Sequence, residues 1–391
     1  MTKPRIAILG AGPIGLEAAL AAVEGGYPFS LYEAAPTVGG NVRVWGHVRM
    51  FTPWDLNVSP RMRSRLEGAP AGGDCPTGNE LAERLLDPLA ALPDIAPNLQ
   101  LGTRVLAIGR EGLLKHEEIA NAERARRPFR ILLTDGSREW TEGADVVIDA
   151  TGTYGHPNSL GDSGIPAPGE RALGREIRRQ IPDFAREAPE WAGKTVLLAG
   201  AGHSAQTAVR ELARLAQDAP DTRLVWALRT TEPTWGTHEN DPLPERAHLA
   251  AEARELAGGA SPAVSVRRGT AIEELARPNG KIEVTLRNGS GSDRIEVDRI
   301  LSLTGFVGDH ELYRQLQVHE CYATCGPIKL SAALLGAAAG DCLTQTSHGA
   351  ETLINPEPGF FILGIKSYGR NNTFLMRVGW EQVSEAFGSL A

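Results

Sequence analysis

Short apolar runs alternate along this chain with stretches whose apolar residues recur at helical spacing, the pattern of a parallel sheet with crossover helices. Arg5 to Leu9 predicts a buried strand, Ile14 to Val23 a helix and Phe29 to Glu33 a second strand. The same order returns, with Thr195 to Ala199 as a strand, Ser204 to Ala216 as a helix and Arg223 to Leu228 as the next strand. No shorter tandem period is present, so one strand-helix-strand unit is used twice. Each copy is followed by a more polar, alternating stretch with a turn dipeptide. In the first, Phe129 to Thr134 meets Asp135-Gly136 and leads to the run from Ala144 to Ala150. In the second, Asn279-Gly280, Lys281 to Arg287 and Asn288-Gly289 lead to the run from Arg299 to Thr304.

Pro- and Gly-rich stretches at Gly155 to Glu170 and Phe306 to Gly308 mark the crossings between the halves. They predict two α/β domains, one made of residues 1–157 and 303–391, the other inserted as residues 158–302. The loop of residues 68–80, rich in Gly, Ala and Pro, starts no new core and is read as a surface excursion.

Composition narrows the function classes. The 391 residues include 44 glycines, where average usage of about 7% gives roughly 27. The surplus asks for loops that only glycine fits. With 40 basic and 48 acidic residues the net charge is -8, and no run of Lys and Arg offers a track for phosphates, so nucleic acid is not an expected partner. Four scattered cysteines do not make a secreted disulfide framework, which points to a reducing, cytoplasmic setting. The start of the chain, Lys3 and Arg5 before Ile6 to Leu9, resembles a secretion signal, but three patterned glycines and Glu17 follow where such a signal stays apolar. The longest other uncharged apolar stretch, Leu330 to Gly340, is about half of a membrane span, and no membrane partner is expected.

Two motifs carry chemistry. Gly10-Ala11-Gly12-Pro13-Ile14-Gly15 follows a strand directly and opens a helix, and Glu33 ends the next strand. Glycines there allow a tight turn, close approach of backbone to a pyrophosphate and helix-on-strand packing, while an acid at the second strand can hold both ribose hydroxyls. The second motif, Gly200-Ala201-Gly202-His203-Ser204-Ala205, has the same setting, but its next strand ends in Arg229 and no acid follows. A guanidinium pairs with a 2'-phosphate that an acid would repel, which favours NADP over NAD. The other reading of Arg229 is an ordinary exposed arginine.

With these motifs the whole chain resembles the two-dinucleotide-binding-domain flavoproteins, the superfamily of flavin-containing, Baeyer–Villiger and N-hydroxylating monooxygenases and of the thioredoxin and glutathione reductases. The resemblance implies two Rossmann-like, three-layer domains of the glutathione-reductase type, FAD on the discontinuous domain and NADPH on the inserted one. Gly39-Gly40 with Asn41 resembles the second FAD loop. Ala150-Thr151-Gly152 and Leu303-Thr304-Gly305-Phe306 resemble the two crossings. Pro358 to Gly364 resembles the last FAD strand, and Val378 to Gln382, with Trp380, the helix whose N-terminus faces the flavin pyrimidine.

The branch within the superfamily rests on fewer residues. Disulfide reductases carry a cysteine pair after the first FAD loop or in the nucleotide domain, and this chain has none from Asn41 to Trp54, and Gly-His-Ser in its second motif. Cys321 and Cys325 are the only close pair; they are either a redox pair, or metal ligands with His319, or small apolar residues of a loop. The stretch from Phe51 to Met62 resembles the place where flavin-containing monooxygenases carry an active-site asparagine, which makes Asn57 the catalytic candidate, with a turn-capping asparagine as the other reading. Trp54 and His47 join it as catalytic candidates, in a stretch crowded by Arg43, Trp45 and Arg49, whose aromatics either exclude water from a flavin or belong to the core. The Phe-x-Gly-x-x-x-His fingerprint of those monooxygenases is missing from Arg178 to Trp191. Lys366, Ser367, Tyr368 and Arg370 are either flavin contacts, with Lys366 as the cation, or a surface turn. Trp235 to Arg246 covers the nicotinamide or the substrate, or is a solvated loop. No Ser-His-Asp order or metal-binding motif occurs, and no metal is expected.

The expected function is that of an FAD-dependent oxidoreductase with NADPH as hydride donor, oxygenating a small organic substrate with molecular oxygen through a C4a-(hydro)peroxyflavin. The alternative is a reductase of the same superfamily with a non-dithiol acceptor. Whether the chain forms a homodimer is left open.

Overall fold

A computed structural model describes residues 3–236, 241–336, 343 and 346–390. Residues 237–240 of the Trp235 to Arg246 stretch, residues 337–340 of the longest apolar stretch, and Cys342 lie outside the described residues. The chain divides into two compact units, one formed by Met1–His156 with Val307–Ala391 and the other by Pro157–Phe306. The second boundary lies at 306/307, within the Phe306 to Gly308 crossing and four residues beyond the expected domain bound at 302/303.

The first unit is built on a five-stranded parallel sheet in the order Phe360–Ile362, Val146–Asp149, Ile6–Leu9, Phe29–Tyr32, Leu99–Gln100. The strand that opens the chain therefore lies in the middle of the sheet and is buried on both faces, which is why it reads as an unbroken apolar run. Alternation sorts its residues into two cores. Ile6 and Ile8, with Leu31, Val146, Ile148 and Phe361, pack against the helices Pro13–Glu24 and Met376–Gly388. Ala7 and Leu9, with Tyr32, Val147, Phe360 and Ile362, pack against Ile108, Phe129, Ile131, Leu133 and Ala144. Those last residues belong to a three-stranded antiparallel sheet of Arg104–Arg110, Phe129–Thr134 and Glu139–Ala144. Three layers result: helices, parallel sheet, antiparallel sheet.

At one end of this core the buried carboxylate of Glu357 receives two guanidiniums, Arg110 Nε at 2.6 Å and Arg124 Nε at 2.9 Å, and the Gln317 N–H at 2.8 Å. All three charged side chains are at most 1% exposed.

The second unit repeats the plan. Its parallel sheet runs Val264–Arg268, Arg223–Leu228, Thr195–Ala199, Arg299–Ser302, Ile177–Arg178. Leu197, Ala199, Ala227 and Ile300 meet Ile272, Leu275, Ile282, Val284, Leu286 and Val297 of a second antiparallel sheet. The helices His203–Asp218 and Pro244–Ala257 complete the unit, the first beginning one residue before and ending two residues after the span read from periodicity. No described helix is long and apolar enough to cross a membrane.

Candidate functional site: two glycine loops

In the first unit the chain leaves its central strand at Gly10, whose φ of +91° suits only glycine and whose missing β-carbon leaves room for Ala150 O, 2.8 Å away from where that carbon would be. Gly15 is needed for a different reason. A β-carbon there would lie 1.7 Å from Gly10 O. Both glycines are thus demanded by the protein's own backbone. Gly12 is not: its φ of -82° is open to any residue, and a β-carbon on it would meet nothing within 4 Å. Gly12 caps the helix Pro13–Glu24 without a side-chain hydrogen bond, and the first turn carries no acid. The first helical bond runs from Leu16 N to Gly12 O, so the N–H groups before it stay available, and Pro13 removes one that would otherwise need a partner. Such a helix start attracts an anion.

Glu33 stands just beyond its strand, 9% exposed. Each carboxylate oxygen accepts one backbone N–H, Oε2 from Ala11 at 2.8 Å and Oε1 from Ala35 at 2.9 Å, which fixes the group and leaves each oxygen able to accept again. The Gly39-Gly40 loop folds over it. Gly39 N donates to Ala11 O at 2.9 Å, and a β-carbon on Gly40 would stand 3.4 Å from Glu33 Oε1. Asn41 follows on the exposed side. Ala150 N closes the turn on Leu9 O at 3.0 Å, and Gly152 takes a φ of +72°.

Ile14 links this loop to the far end of the chain. A β-carbon on Gly364 would lie 3.2 Å from Ile14 Cγ1, and one on Gly379 would lie 2.3 Å from Ile14 Cδ1. Gln382 then clamps the turn, accepting from Gly364 N at 2.9 Å and donating to Ser367 Oγ at 2.9 Å, while Ser367 Oγ donates to Gly364 O at 2.7 Å. Sequence reasoning placed Gln382 on the right helix without giving it this task.

Lys366, the expected flavin cation, has partners within its own chain. Its ammonium is buried on Asp149 Oδ2 at 2.6 Å and on Thr151 Oγ1 at 3.2 Å, beneath the Tyr313 ring at 5.0 Å. Thr151 also donates to Asp149 Oδ1 through its N–H at 3.1 Å and its hydroxyl at 2.7 Å. The lysine thus neutralises a carboxylate at the end of a core strand. Nearby, Glu320 takes hydrogen bonds from Tyr313 and His310. Burial pushes its carboxyl up, but those bonds and the charges of His310 and Lys366 outweigh it and hold the group below the usual range.

Asn57 and Trp54, the catalytic candidates, also have partners within their own chain. Asn57 is 1% exposed, donates to Thr52 O at 2.8 Å and accepts from Thr52 Oγ1 at 2.8 Å. Its amide is spent on its own loop, the turn-stabilising role open to it from the sequence. Trp54, 3% exposed, is a core residue with the Arg84 guanidinium 5.1 Å over its ring. His47 differs. It is half-buried, and its Nε2, like the indole nitrogens of Trp45 and Trp380 and the Tyr368 hydroxyl, has no hydrogen-bond partner among the described residues. Trp45 stacks on Tyr154 at 6.4 Å, and burial pushes the Tyr154 phenol up to about 12.

The second unit carries the matching loop. Gly200 has a φ of +126°, and a β-carbon on it would lie 2.3 Å from Leu303 O; Ala205, fully buried, fills the third place. Gly202 again faces open space and caps the helix His203–Asp218 without a side-chain bond or an acid in the first turn. Ser204 is exposed beside it. Arg229 is exposed, and its side chain has no hydrogen-bond or ion-pair partner among the described residues. Two residues missed from the sequence brace the loop. Trp226 Nε1 donates to Gly200 O at 2.8 Å, and Gln206 Nε2 donates to Ala201 O and Trp235 O, both at 3.0 Å. Trp235, at a φ of +58°, packs at a tilt against Trp226 with ring centroids 5.4 Å apart, and a β-carbon on Gly236 would come within 3.1 Å of the His203 ring. The start of the Trp235 stretch is thus folded onto the second glycine loop. An unusual tryptophan in the strand after the motif was the signal available.

No group of three His, Cys, Asp or Glu side chains among the described residues is placed to hold a metal ion.

No protein-family model and no curated protein matches the chain in sequence. Solved structures do. The bacillithiol disulfide reductase Bdr (YpdA) from Bacillus cereus superposes with a TM-score of 0.73 at 16% identity, over 100% of this chain and 99% of that one. The ornithine hydroxylase PvdA from Pseudomonas aeruginosa gives 0.62 at 16%, over 100% and 99%. The thioredoxin reductase of T. acidophilum gives 0.59 at 15%, over 100% and 99%. The chain thus has the two-Rossmann fold shared by thioredoxin-reductase-like enzymes and flavin monooxygenases, and at such identities the likeness is one of fold.

Proposed function

We propose that this chain is an oxidoreductase that binds FAD in its first unit and takes its reducing equivalents from NADPH bound in the second. One observation carries the reading: in each loop the second glycine, Gly12 or Gly202, answers no need of the protein itself and faces open space at an uncapped helix start. A pyrophosphate is the group for which such a place is suited. Glu33 would hold the ribose hydroxyls of FAD, and the loops of Gly40 and Gly152 flank the same turn. Arg229, exposed and unengaged, would take the 2'-phosphate of NADPH.

Bound FAD supplies a carrier that accepts hydride and passes electrons on. The protein's part is binding and placement: the helix starts hold phosphate charge, Gln382 fixes the turn after the last sheet strand, and the Lys366–Asp149 pair keeps charge balanced beneath it. With Asn57 engaged on Thr52, direct reduction of a small acceptor is the reading we favour. Oxygenation of an organic substrate is the second reading, supported by the unpartnered Trp45 and His47 nitrogens just after the Gly39-Gly40 loop.

Purified protein should be yellow, and NADPH should bleach it under argon. Loss of colour that FAD cannot restore overturns the FAD assignment. Turnover under isotopically labelled dioxygen then separates the two readings: label in an organic product means oxygenation, and acceptor-dependent NADPH oxidation that continues without oxygen means reduction.

A further inference from the structure

Between Glu320–Cys321 and Gly326–Pro327 the chain makes a two-stranded hairpin in which Cys321 pairs with Gly326 and Cys325 N donates to Cys321 O at 2.8 Å. Both cysteines are half-exposed, and Tyr322, at the tip between them, is 99% exposed. The two sulfurs have different surroundings. The Cys321 thiol is held below its usual range by hydrogen bonds, first from the Thr324 side chain, then from the backbone of Thr324 and Ala323. Thr324 Oγ1 donates to Ser331 Oγ at 2.8 Å, which ties the threonine side chain to the helix Ile328–Gly336. Cys325 Sγ instead donates to Tyr322 O at 3.9 Å.

Cys325 also sits at a φ of +56°, a left-handed position that a residue with a β-carbon adopts at a cost and that glycine or asparagine would fill more easily. A cysteine kept in such a place points to a use for its sulfur. The bond from Cys325 N to Cys321 O closes a five-residue turn, so the two cysteines flank one exposed loop, and a disulfide between them needs β-carbons roughly 3.5–4.5 Å apart.

We propose that Cys321 and Cys325 form a peroxide-reactive thiol pair, Cys321 attacking a hydroperoxide and Cys325 resolving the product as a disulfide. The Cys321 thiolate attacks one oxygen of ROOH. The O–O bond breaks, RO⁻ leaves and is protonated to ROH, and Cys321 becomes a sulfenic acid. Cys325 then attacks that sulfur, the S–O bond breaks and water leaves, so that the two thiols have lost two electrons and the peroxide has gained them. Thr324 O accepts the Arg370 N–H at 2.7 Å, so closure of the loop is felt by the turn that carries Lys366. The proposal does not depend on the cofactors assigned above.

The test uses the full chain and hydrogen peroxide, followed by peptide mapping without reduction. A peptide holding both cysteines and lighter by two hydrogen atoms is expected. In Cys325→Ser, Cys321 should be trapped as a sulfenic acid by dimedone, in Cys321→Ser neither modification should form, and Thr324→Val should slow the reaction several-fold. Two intact thiols at peroxide levels that modify Cys75 would overturn the proposal. So would a Cys321 disulfide to Cys75 or Cys342, or equal reactivity of Cys321 and Cys325. Because the wild-type map needs no substitution, a variant that fails to fold leaves the test decisive.

Discussion

Replacing Gly12 and Gly15 by alanine, one at a time, separates what the first loop does for the fold from what it does for a ligand. In Gly15→Ala the new methyl would sit 1.7 Å from Gly10 O and 2.9 Å from Gly10 C, with no flexible side chain to yield. Overpacking of this kind costs about 1–3 kcal/mol or more, which for a unit of this size lowers Tm by roughly 2–12 °C. In Gly12→Ala the methyl meets nothing. Loss of a glycine cap costs a few tenths to about 1 kcal/mol and the stiffer unfolded chain returns a similar amount, so the stability change stays within about 1 kcal/mol. Binding behaves the other way. A methyl where the pyrophosphate approaches removes one or two charge-assisted bonds of about 1.5–3 kcal/mol each, so FAD should bind roughly 10- to 10,000-fold more weakly. The assay is thermal unfolding of flavin-stripped protein beside titration with FAD. Wild-type affinity in Gly12→Ala would refute the pyrophosphate placement. A Tm loss equal to that of Gly15→Ala would refute the steric account.

Three further outcomes are expected. Arg229→Ala should raise the KM for NADPH roughly 10- to 150-fold, the loss of one charge-assisted pair, and leave that for NADH nearly unchanged; equal losses would remove its role. Asn57→Ala should cost about 1–3 kcal/mol in stability by stranding buried Thr52, yet leave kcat per bound flavin intact; a fall in kcat with unchanged unfolding would restore the asparagine as a catalytic residue. Glu170, buried, accepts from Leu160 N at 2.9 Å, Ala167 N at 3.0 Å and Gly161 N at 3.2 Å, and pairs with Arg179 at 2.9 Å. Burial pushes its carboxyl up, but the Arg179 bond and the backbone donors outweigh it and leave it below the usual 4.5. Its stabilisation is therefore full above that value and lost as pH falls through the lower folded value, and Glu170→Gln should flatten this part of the acid-unfolding curve of the second unit.

The plan of the sheets was legible because it rests on strong local signals. Runs such as Ile6 to Leu9 and Thr195 to Ala199 are buried on both faces, and a glycine turn with a helix behind it has one use in most chains. The glycine surplus could also be followed from the sequence into loops, but which client each glycine serves could not. Gly12 and Gly15 look alike in sequence and differ only in what stands opposite their α-carbons. Asn57, Trp54 and Lys366 show why site roles are harder to read: a polar or aromatic residue in a loop carries no sign of whether its partner is a ligand or its own chain. Thr52, Arg84 and Asp149 supply partners within the chain, and two of the three are far away in sequence.

The buried carboxylate of Glu357 bears on the order in which the chain acquires its structure. Arg110 and Arg124 leave the ribosome with the first segment, whereas Glu357 and the edge strand Phe360–Ile362 emerge only after the whole inserted unit. During that interval the first segment holds two guanidiniums with no carboxylate to receive them, and burying them unpaired would cost several kcal/mol each. The inserted unit, continuous in sequence, is free to complete itself first. The first unit can complete this buried cluster only when a single glutamate arrives to meet charges set down more than two hundred residues earlier.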